Sequence, residues 1–149
     1  MKIEDVLKSE KKYHTYERVI LNLVYNTILI ENIEESIFGR FGLTRAQYNV
    51  VRILRGSKDT TLNLFDIQDR MLKKMSNTTR LVDKLVTLEL VDRETNPDNR
   101  RKVEISITSK GLDLLEKIDP VLEIKHKERL QKLSEEEQNT LISLLEKMR

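Results

Sequence analysis

The sequence predicts a mainly α-helical protein with one small β-hairpin, arranged as a winged helix-turn-helix with a helical region built from both chain ends. Three observations predict it. Val103, Ile105 and Ile107 alternate strictly with Lys102, Glu104 and Ser106, immediately after the reversal Asn96-Pro97-Asp98-Asn99. Period two places the β-branched residues on one face of a strand, and Pro, Asn and Asp favour a tight turn. Two short capped helices stand directly before this hairpin, and long helical stretches with apolar stripes occupy both ends of the chain.

From about Val6 to Phe38 there is neither Gly nor Pro. Apolar residues recur at Ile20, Val24, Ile28, Ile33 and Ile37, with Leu21, Leu23 and Leu29 beside them. One long helix follows, its stripe wider than a single small partner requires. Phe38-Gly39-Arg40-Phe41-Gly42 ends it, because glycine suits a helix C-terminus. Thr44 and Gln47 form a capping box, flanked by Leu43 and Tyr48 at the hydrophobic staple positions. The helix they open runs through Val50, Val51, Ile53 and Leu54 and stops before Gly56.

Ser57 to Thr61 is a polar connector, Thr61-Leu62 adds a short strand, and Asn63 caps a helix over Leu64 to Leu72. From Ser76 a further helix runs to about Leu88, burying Leu81, Val82, Leu85 and Leu88 and exposing Asn77, Arg80, Lys84 and Thr87 on the opposite face. Leu90 to Thr95 is the strand returning against Val103 to Ile107. Thr108 then caps a helix from Ser109, with Leu112, Leu115, Ile118, Val121 and Leu122 inward and a kink expected at Pro120. Ser134 to Glu137 is another capping box, opening a last helix with Leu141, Ile142, Leu144, Leu145 and Met148. The expected division is a winged helix-turn-helix over 39–111 and a helical dimerisation region from 1–38 and 112–149.

Composition excludes several kinds of chemistry. The 149 residues contain no cysteine, which removes disulfides, thiol nucleophiles and thiolate metal sites together. No apolar run approaches the roughly 18 residues that span a bilayer, and Met1 to Lys12 lacks the apolar region of a signal peptide, so a cytoplasmic location without membrane attachment is expected. The net charge is only +2, but nine basic residues face five acidic ones between Arg70 and Lys102. A locally basic centre is expected where one region meets a polyanion.

The helix expected from Ser76 then reads as a recognition helix. Ser76, Asn77, Thr78 and Thr79 are small enough for a helix end to approach DNA closely. Asn and Thr can bond base edges, and Arg80 can reach a guanine edge or a phosphate, with Lys84 on the same face. Arg100 and Arg101 near the hairpin tip would fall over the adjacent minor groove, whose negative potential attracts arginine.

At these residues the sequence resembles the MarR (multiple antibiotic resistance regulator) family of bacterial transcription factors. The matching stretches are Thr79 to Leu85, Leu90-Val91-Asp92-Arg93, the wing, Ile107-Thr108-Ser109-Lys110-Gly111, and Leu133 to Glu137. The resemblance implies a homodimer joined through its first and last helices, bound to a pseudo-palindromic operator on double-stranded DNA and released by a small ligand, here read as a repressor. With no thiol available, that effector is expected to be a small apolar or anionic molecule between the dimer helices and the DNA-binding part. Two positions depart from the family pattern. Glu89 stands where glycine is usual, so a slightly extended helix is expected to replace a left-handed turn and tilt the wing. The wing usually reads Asp-x-Arg; here either Asn99 substitutes for the carboxylate beside Arg101, or Asp98 pairs with Arg100.

Other residue types give weaker signals. His14 and His126 are far apart in sequence and read as surface or interface residues rather than metal ligands. Tyr13, Tyr16, Tyr25 and Tyr48 could line an effector cavity, though aromatics at helical positions usually belong to a core or interface. No phosphate loop, nucleophile elbow or catalytic pair is present, so neither an enzyme nor a cofactor is expected. A winged-helix module serving protein partners is the alternative. It would call for a neutral or acidic recognition face, against Arg80, Lys84, Arg100 and Arg101.

Overall fold

The computed structural model of the chain describes residues 1–57, 60–74, 77–95 and 103–149. It forms two compact units, Met1–Ser36 and Ile37–Arg149.

The first unit corrects the expectation of a single helix from Val6. A short helix α1 (Ile3–Leu7) ends at Lys8, and α2 (Thr15–Arg40) starts only after a break. The cause is local: Lys8 adopts φ 49°, and the Ser9 N–H returns to the Glu4 carbonyl at 3.1 Å. Glu17, at the third helical position of α2, accepts the His14 N–H at 2.8 Å and the Lys11 ammonium at 2.9 Å. A glutamate there stabilises a helix start. Along α2 the apolar residues Tyr16, Val19, Ile20, Val24 and Ile28 are exposed.

The second unit opens with the last turn of α2, where Phe38 is buried, and α3 (Arg45–Arg55) follows. As the sequence predicts, the Gln47 N–H meets Thr44 Oγ1 at 3.2 Å while the Gln47 side chain accepts the Thr44 N–H at 2.8 Å. Asn63 and Asp66 form the same reciprocal pair at the start of α4 (Leu64–Arg70), which ends earlier than Leu72 because Met71 is already extended. Then come α5 (Thr78–Thr87), the antiparallel pair β1 (Val91–Thr95) and β2 (Val103–Ile107), α6 (Ser109–Leu130), which continues through Pro120, and α7 (Glu135–Lys147). Ser134 and Glu137 cap α7 reciprocally. In the hairpin Val91 faces Ile107 and Thr95 faces Val103, and Leu62 adds a single bridge to Ile105. Ile105 thus anchors the hairpin at the centre of a core that includes Val50, Val51, Val82, Leu85 and Leu115, all fully buried.

Helices α2 and α5 end in the same corner. Leu43 N–H bonds to the Phe38 carbonyl and Gly42 N–H to that of Gly39, with Gly42 at φ 71°. Leu90 N–H bonds to the Leu85 carbonyl and Glu89 N–H to that of Val86, with Glu89 at φ 59°. Both are Schellman corners. The expected helix extension at Glu89 therefore does not occur: the left-handed turn is kept without a glycine. Thr108 donates its hydroxyl to the Glu89 carbonyl at 2.8 Å and accepts the Gly111 N–H at 3.0 Å, and Lys110 pairs with the Glu89 carboxylate at 2.7 Å. That pairing holds the Glu89 carboxyl below its ordinary pKa. At Gly111 a Cβ would stand 2.3 Å from the Leu90 carbonyl oxygen, so only glycine lets α6 start against the base of the hairpin.

Candidate nucleic-acid interface

On α5 the residues turned inward are Thr78, Val82 and Leu85, at the i, i+4, i+7 spacing of one helical face. Asn77, Thr79, Arg80, Lys84 and Thr87 are exposed, so the polar face expected from the sequence is present on the folded helix. The helix starts two residues later than expected, with Asn77 at the N-cap position, where its side chain makes no capping bond. Thr78, only 5% exposed, is packed inward rather than presented on that face. Ser76, Asn99, Arg100 and Arg101 lie outside the described residues, and so does the choice between the two wing arginines.

One acidic residue shares the exposed face. Asp83 receives Arg93 Nη1 from β1 at 2.6 Å, an ion pair that ties the helix to the first strand of the hairpin and neutralises a carboxylate beside Arg80 and Lys84. A lone acid on a basic helix face was the signal that could have revealed Arg93 in the sequence. Nearby, Lys74 is committed to Asp69 at 2.8 Å, which leaves less of the Lys73-Lys74 charge for a polyanion.

A second feature lies between α3 and α6. A cavity of about 480 Å³ is lined by Tyr48, Arg52, Asp119, Leu122, His126 and Lys127, among others. The Tyr48 hydroxyl donates to Asp119 Oδ1 at 2.7 Å, and Arg55 Nη1 meets Asp119 Oδ2 at 2.6 Å. Burial, and then the hydrogen bond to Asp119, push the Tyr48 phenol well above its ordinary pKa. Its ring stacks on Phe38 with centroids 4.4 Å apart, and the Arg52 guanidinium stands 5.7 Å from the ring centre. Tyr48 is thus both the staple residue expected from the sequence and, of the tyrosines considered for a cavity, the one that lines this cavity. Among the described residues no cluster of His, Asp or Glu could hold a metal ion, and no helix is long and apolar enough to cross a membrane.

Comparison with known proteins agrees with this geometry. The profile of the MarR family matches residues 43–103, from two residues before α3 to the start of β2. The HTH-type transcriptional regulator MhqR of Bacillus subtilis (strain 168) is 30% identical over 130 residues, 87% of this chain and 87% of that protein. The chain belongs to the MarR family. A MarR transcription factor from Planctomyces limnophilus has the same fold at 34% identity, with a TM-score of 0.71 over 92% of this chain and 98% of that one. Bordetella bronchiseptica BpsR, whose DNA binding 6-hydroxynicotinic acid regulates, matches at 25% identity with a TM-score of 0.78 over 93% and 97% of the two chains. The chain is therefore a MarR-family transcriptional regulator with a DNA-binding winged-helix fold, and its family is one of regulators rather than enzymes.

The Glu89 corner and the Tyr48–Asp119–Arg55 bridge are read from this structure alone. Asp119 gave no sequence signal, because its partners stand 71 and 64 residues away. Tyr48, Arg52 and Arg55 did give one: polar groups at i, i+4 and i+7 of α3 share one helical face.

Proposed function

We propose that this MarR-family regulator is a homodimeric, sequence-specific repressor that binds a pseudo-palindromic operator and is released by a small apolar or anionic ligand. The observation that carries the reading is the exposed face of α5, where Asn77, Thr79, Arg80 and Lys84 stand opposite the fully buried Val82 and Leu85. A polar, cationic helix face on a rigid support is what major-groove readout needs. Thr78 falls out of the contact set because it is buried. Ser76, Asn99, Arg100 and Arg101 complete it, the helix residues in the major groove and the wing arginines in the adjacent minor groove. Dimerisation is assigned to 1–38 and 112–149, with 39–111 as the DNA-binding region. What supports this division is the run of exposed apolar residues on α2 and on α7, where Leu141, Ile142, Leu144 and Leu145 are uncovered in the single chain. Burial of such faces in a second copy is the ordinary remedy.

The effector site is assigned to the cavity between α3 and α6, whose volume of about 480 Å³ suits a small aromatic molecule. Arg52 on its lining can meet an anion, while Lys127 is already paired with Glu123 on the same lining, and BpsR, a relative at 25% identity, responds to an aromatic acid. A protein-docking module without operator binding fits less well, because it leaves Arg80 and Lys84 without a use.

The test is a titration of variants against a duplex selected from random sequence by the parent protein, and against a scrambled duplex, at several salt concentrations. Arg80→Ala should cost about 1–3 kcal/mol on the selected duplex and relax preference at one base position per half-site. Replacing Arg100 and Arg101 together should weaken binding to both duplexes and reduce the salt slope by about one to two units. An equal loss on both duplexes for Arg80→Ala makes Arg80 a phosphate contact. Absence of any selected sequence removes the operator reading altogether.

A further inference from the structure

We infer that the Tyr48–Asp119–Arg55 bridge is the contact through which an occupant of the cavity reaches the helix-turn-helix: a small aromatic anion takes the Tyr48 hydroxyl as its own donor, and Asp119 keeps only Arg55. The inference rests on the cavity being the effector site, as proposed above, and adds how that site is read.

The bridge is asymmetric in a way that suits a relay. Tyr48 and Arg55 are seven residues apart on α3, so their attachment points lie about two turns, roughly 10 Å, apart along the helix axis. One carboxylate on α6 accepts from both, at 2.7 Å and 2.6 Å. Holding a helix at two points fixes its rotation as well as its position. Tyr48 and Asp119 line the cavity and Arg55 does not. An occupant can therefore compete for one arm of the bridge while leaving the other in place, which releases the Tyr48 end of α3 and keeps the Arg55 end as a pivot. Since α3 packs directly on α4, α5 and β2, a rotation about that pivot reaches the DNA-facing helix and the hairpin together.

The chemistry of the exchange is simple. The phenol is held in its protonated form by burial and by Asp119, so it remains a donor at neutral pH and can change acceptor without losing its proton. A carboxylate or phenolate of the ligand offers a charged acceptor, and Arg52 supplies countercharge on the lining, where Lys127 is already paired with Glu123. A ligand shifts an equilibrium only by its differential affinity for two states, and the traded hydrogen bond is such a difference.

The experiment uses the full chain, a duplex selected by the parent, and 2-naphthoate as the probe. Tyr48→Phe keeps the ring that stacks on Phe38 and removes only the hydroxyl. For the parent, 2-naphthoate should weaken binding to the duplex roughly 5- to 150-fold, the usual span of allosteric coupling. Tyr48→Phe should bind DNA weakly without the probe and show no further loss when it is added. By calorimetry it should still bind the probe, with at most about a tenfold loss for one missing hydrogen bond. Arg55→Gln removes the pivot and keeps the arm the ligand displaces, so its response to the probe should fall below the parent's. A role confined to stability would lower the melting temperature of both variants and leave both responses at the parent's ratio. Parent-like DNA affinity with a parent-like response in Tyr48→Phe overturns the relay while the cavity reading stands. If that variant fails to fold, an unchanged ratio in Arg55→Gln overturns the relay instead. Failure of 2-naphthoate to bind the parent, or binding without any effect on the duplex, overturns the cavity as an effector site for aromatic anions, and the relay with it.

Discussion

Helices α2 and α5 end in the same hydrogen-bonded corner, and only one of them ends in glycine. At Gly42 the residue itself relieves the left-handed backbone, and a Cβ there would meet nothing within 4 Å. At Glu89 the neighbours do the work: Thr108 closes on the Glu89 carbonyl, Lys110 on its carboxylate, and Leu90, the next residue, is buried. The corner at Glu89 is imposed by the chain that must follow it. After α5 the backbone has to reverse at once, so that Val91 can pair with Ile107 and bring the hairpin beside α5. Tertiary contact enforces at Glu89 a conformation that intrinsic preference supplies at Gly42.

The largest effect expected from disturbing this arrangement is at Gly111, which allows the supported corner to close. Gly111→Ala would drive a methyl to 2.3 Å from the Leu90 carbonyl oxygen and 2.8 Å from the Ile107 side chain. Backbone cannot swing aside as a side chain can. A loss of about 3 kcal/mol in urea denaturation is expected, with DNA binding lost in proportion to the unfolded fraction. A loss below about 1 kcal/mol would mean that α6 can slide off the hairpin base, and that the Glu89 corner is not fixed by it.

Gly42→Ala probes the unsupported corner. Open space surrounds the site, so the cost is the left-handed backbone alone, about 1–2 kcal/mol, partly offset by the lower entropy of the unfolded chain. A net destabilisation of about 1 kcal/mol is expected, and the operator affinity of the folded protein should not change. A change in that affinity would give the α2–α3 corner a part in aiming the proposed DNA-contact surface, and the contrast with Glu89 would narrow.

Most of the helix starts were legible in the sequence because a cap is a local device. Thr44 with Gln47 and Ser134 with Glu137 each act across three residues, and Thr108 stands directly before its helix. The alternation at Val103, Ile105 and Ile107 was as local, and it located β2. Helix ends were harder: a search for glycine finds Gly42 and misses Lys8 and Glu89, the two non-glycine left-handed residues among those described. On the interface, Arg80 and Lys84 were readable as an exposed face. The inward turn of Thr78 was also readable, four residues before Val82 and seven before Leu85, but its small polar side chain drew attention to DNA instead. Asp119 could not be found this way, since a contact 71 residues away leaves no period.

Glu89→Gly is the finest test of the comparison, because it gives the supported corner the residue of the unsupported one. Glycine removes the left-handed strain and also removes the carboxylate that holds Lys110, so two effects of opposite sign meet at one position. The pair is solvent-exposed, where screening leaves an ion pair little weight, and the backbone effect should win. The variant should melt roughly 2–4 °C above the parent at pH 7. Acid separates the two effects. The Glu89 carboxyl titrates below its ordinary value of 4.5 in the folded protein, because Lys110 bonds to its charged form. A carboxyl lowered in this way stabilises the fold above its unfolded pKa and loses that contribution as the pH falls through the folded one. The advantage of glycine should therefore widen between pH 6 and pH 3, and 1 M salt at pH 7 should widen it in the same direction by screening the pair. Melting curves of parent and variant at the two pH values decide the matter. An advantage that stays constant would assign the corner to the Thr108 bond and the buried Leu90 alone. A variant less stable than its parent at pH 7 would show that the Lys110 pairing outweighs the strain, and that glutamate is the better residue at this corner.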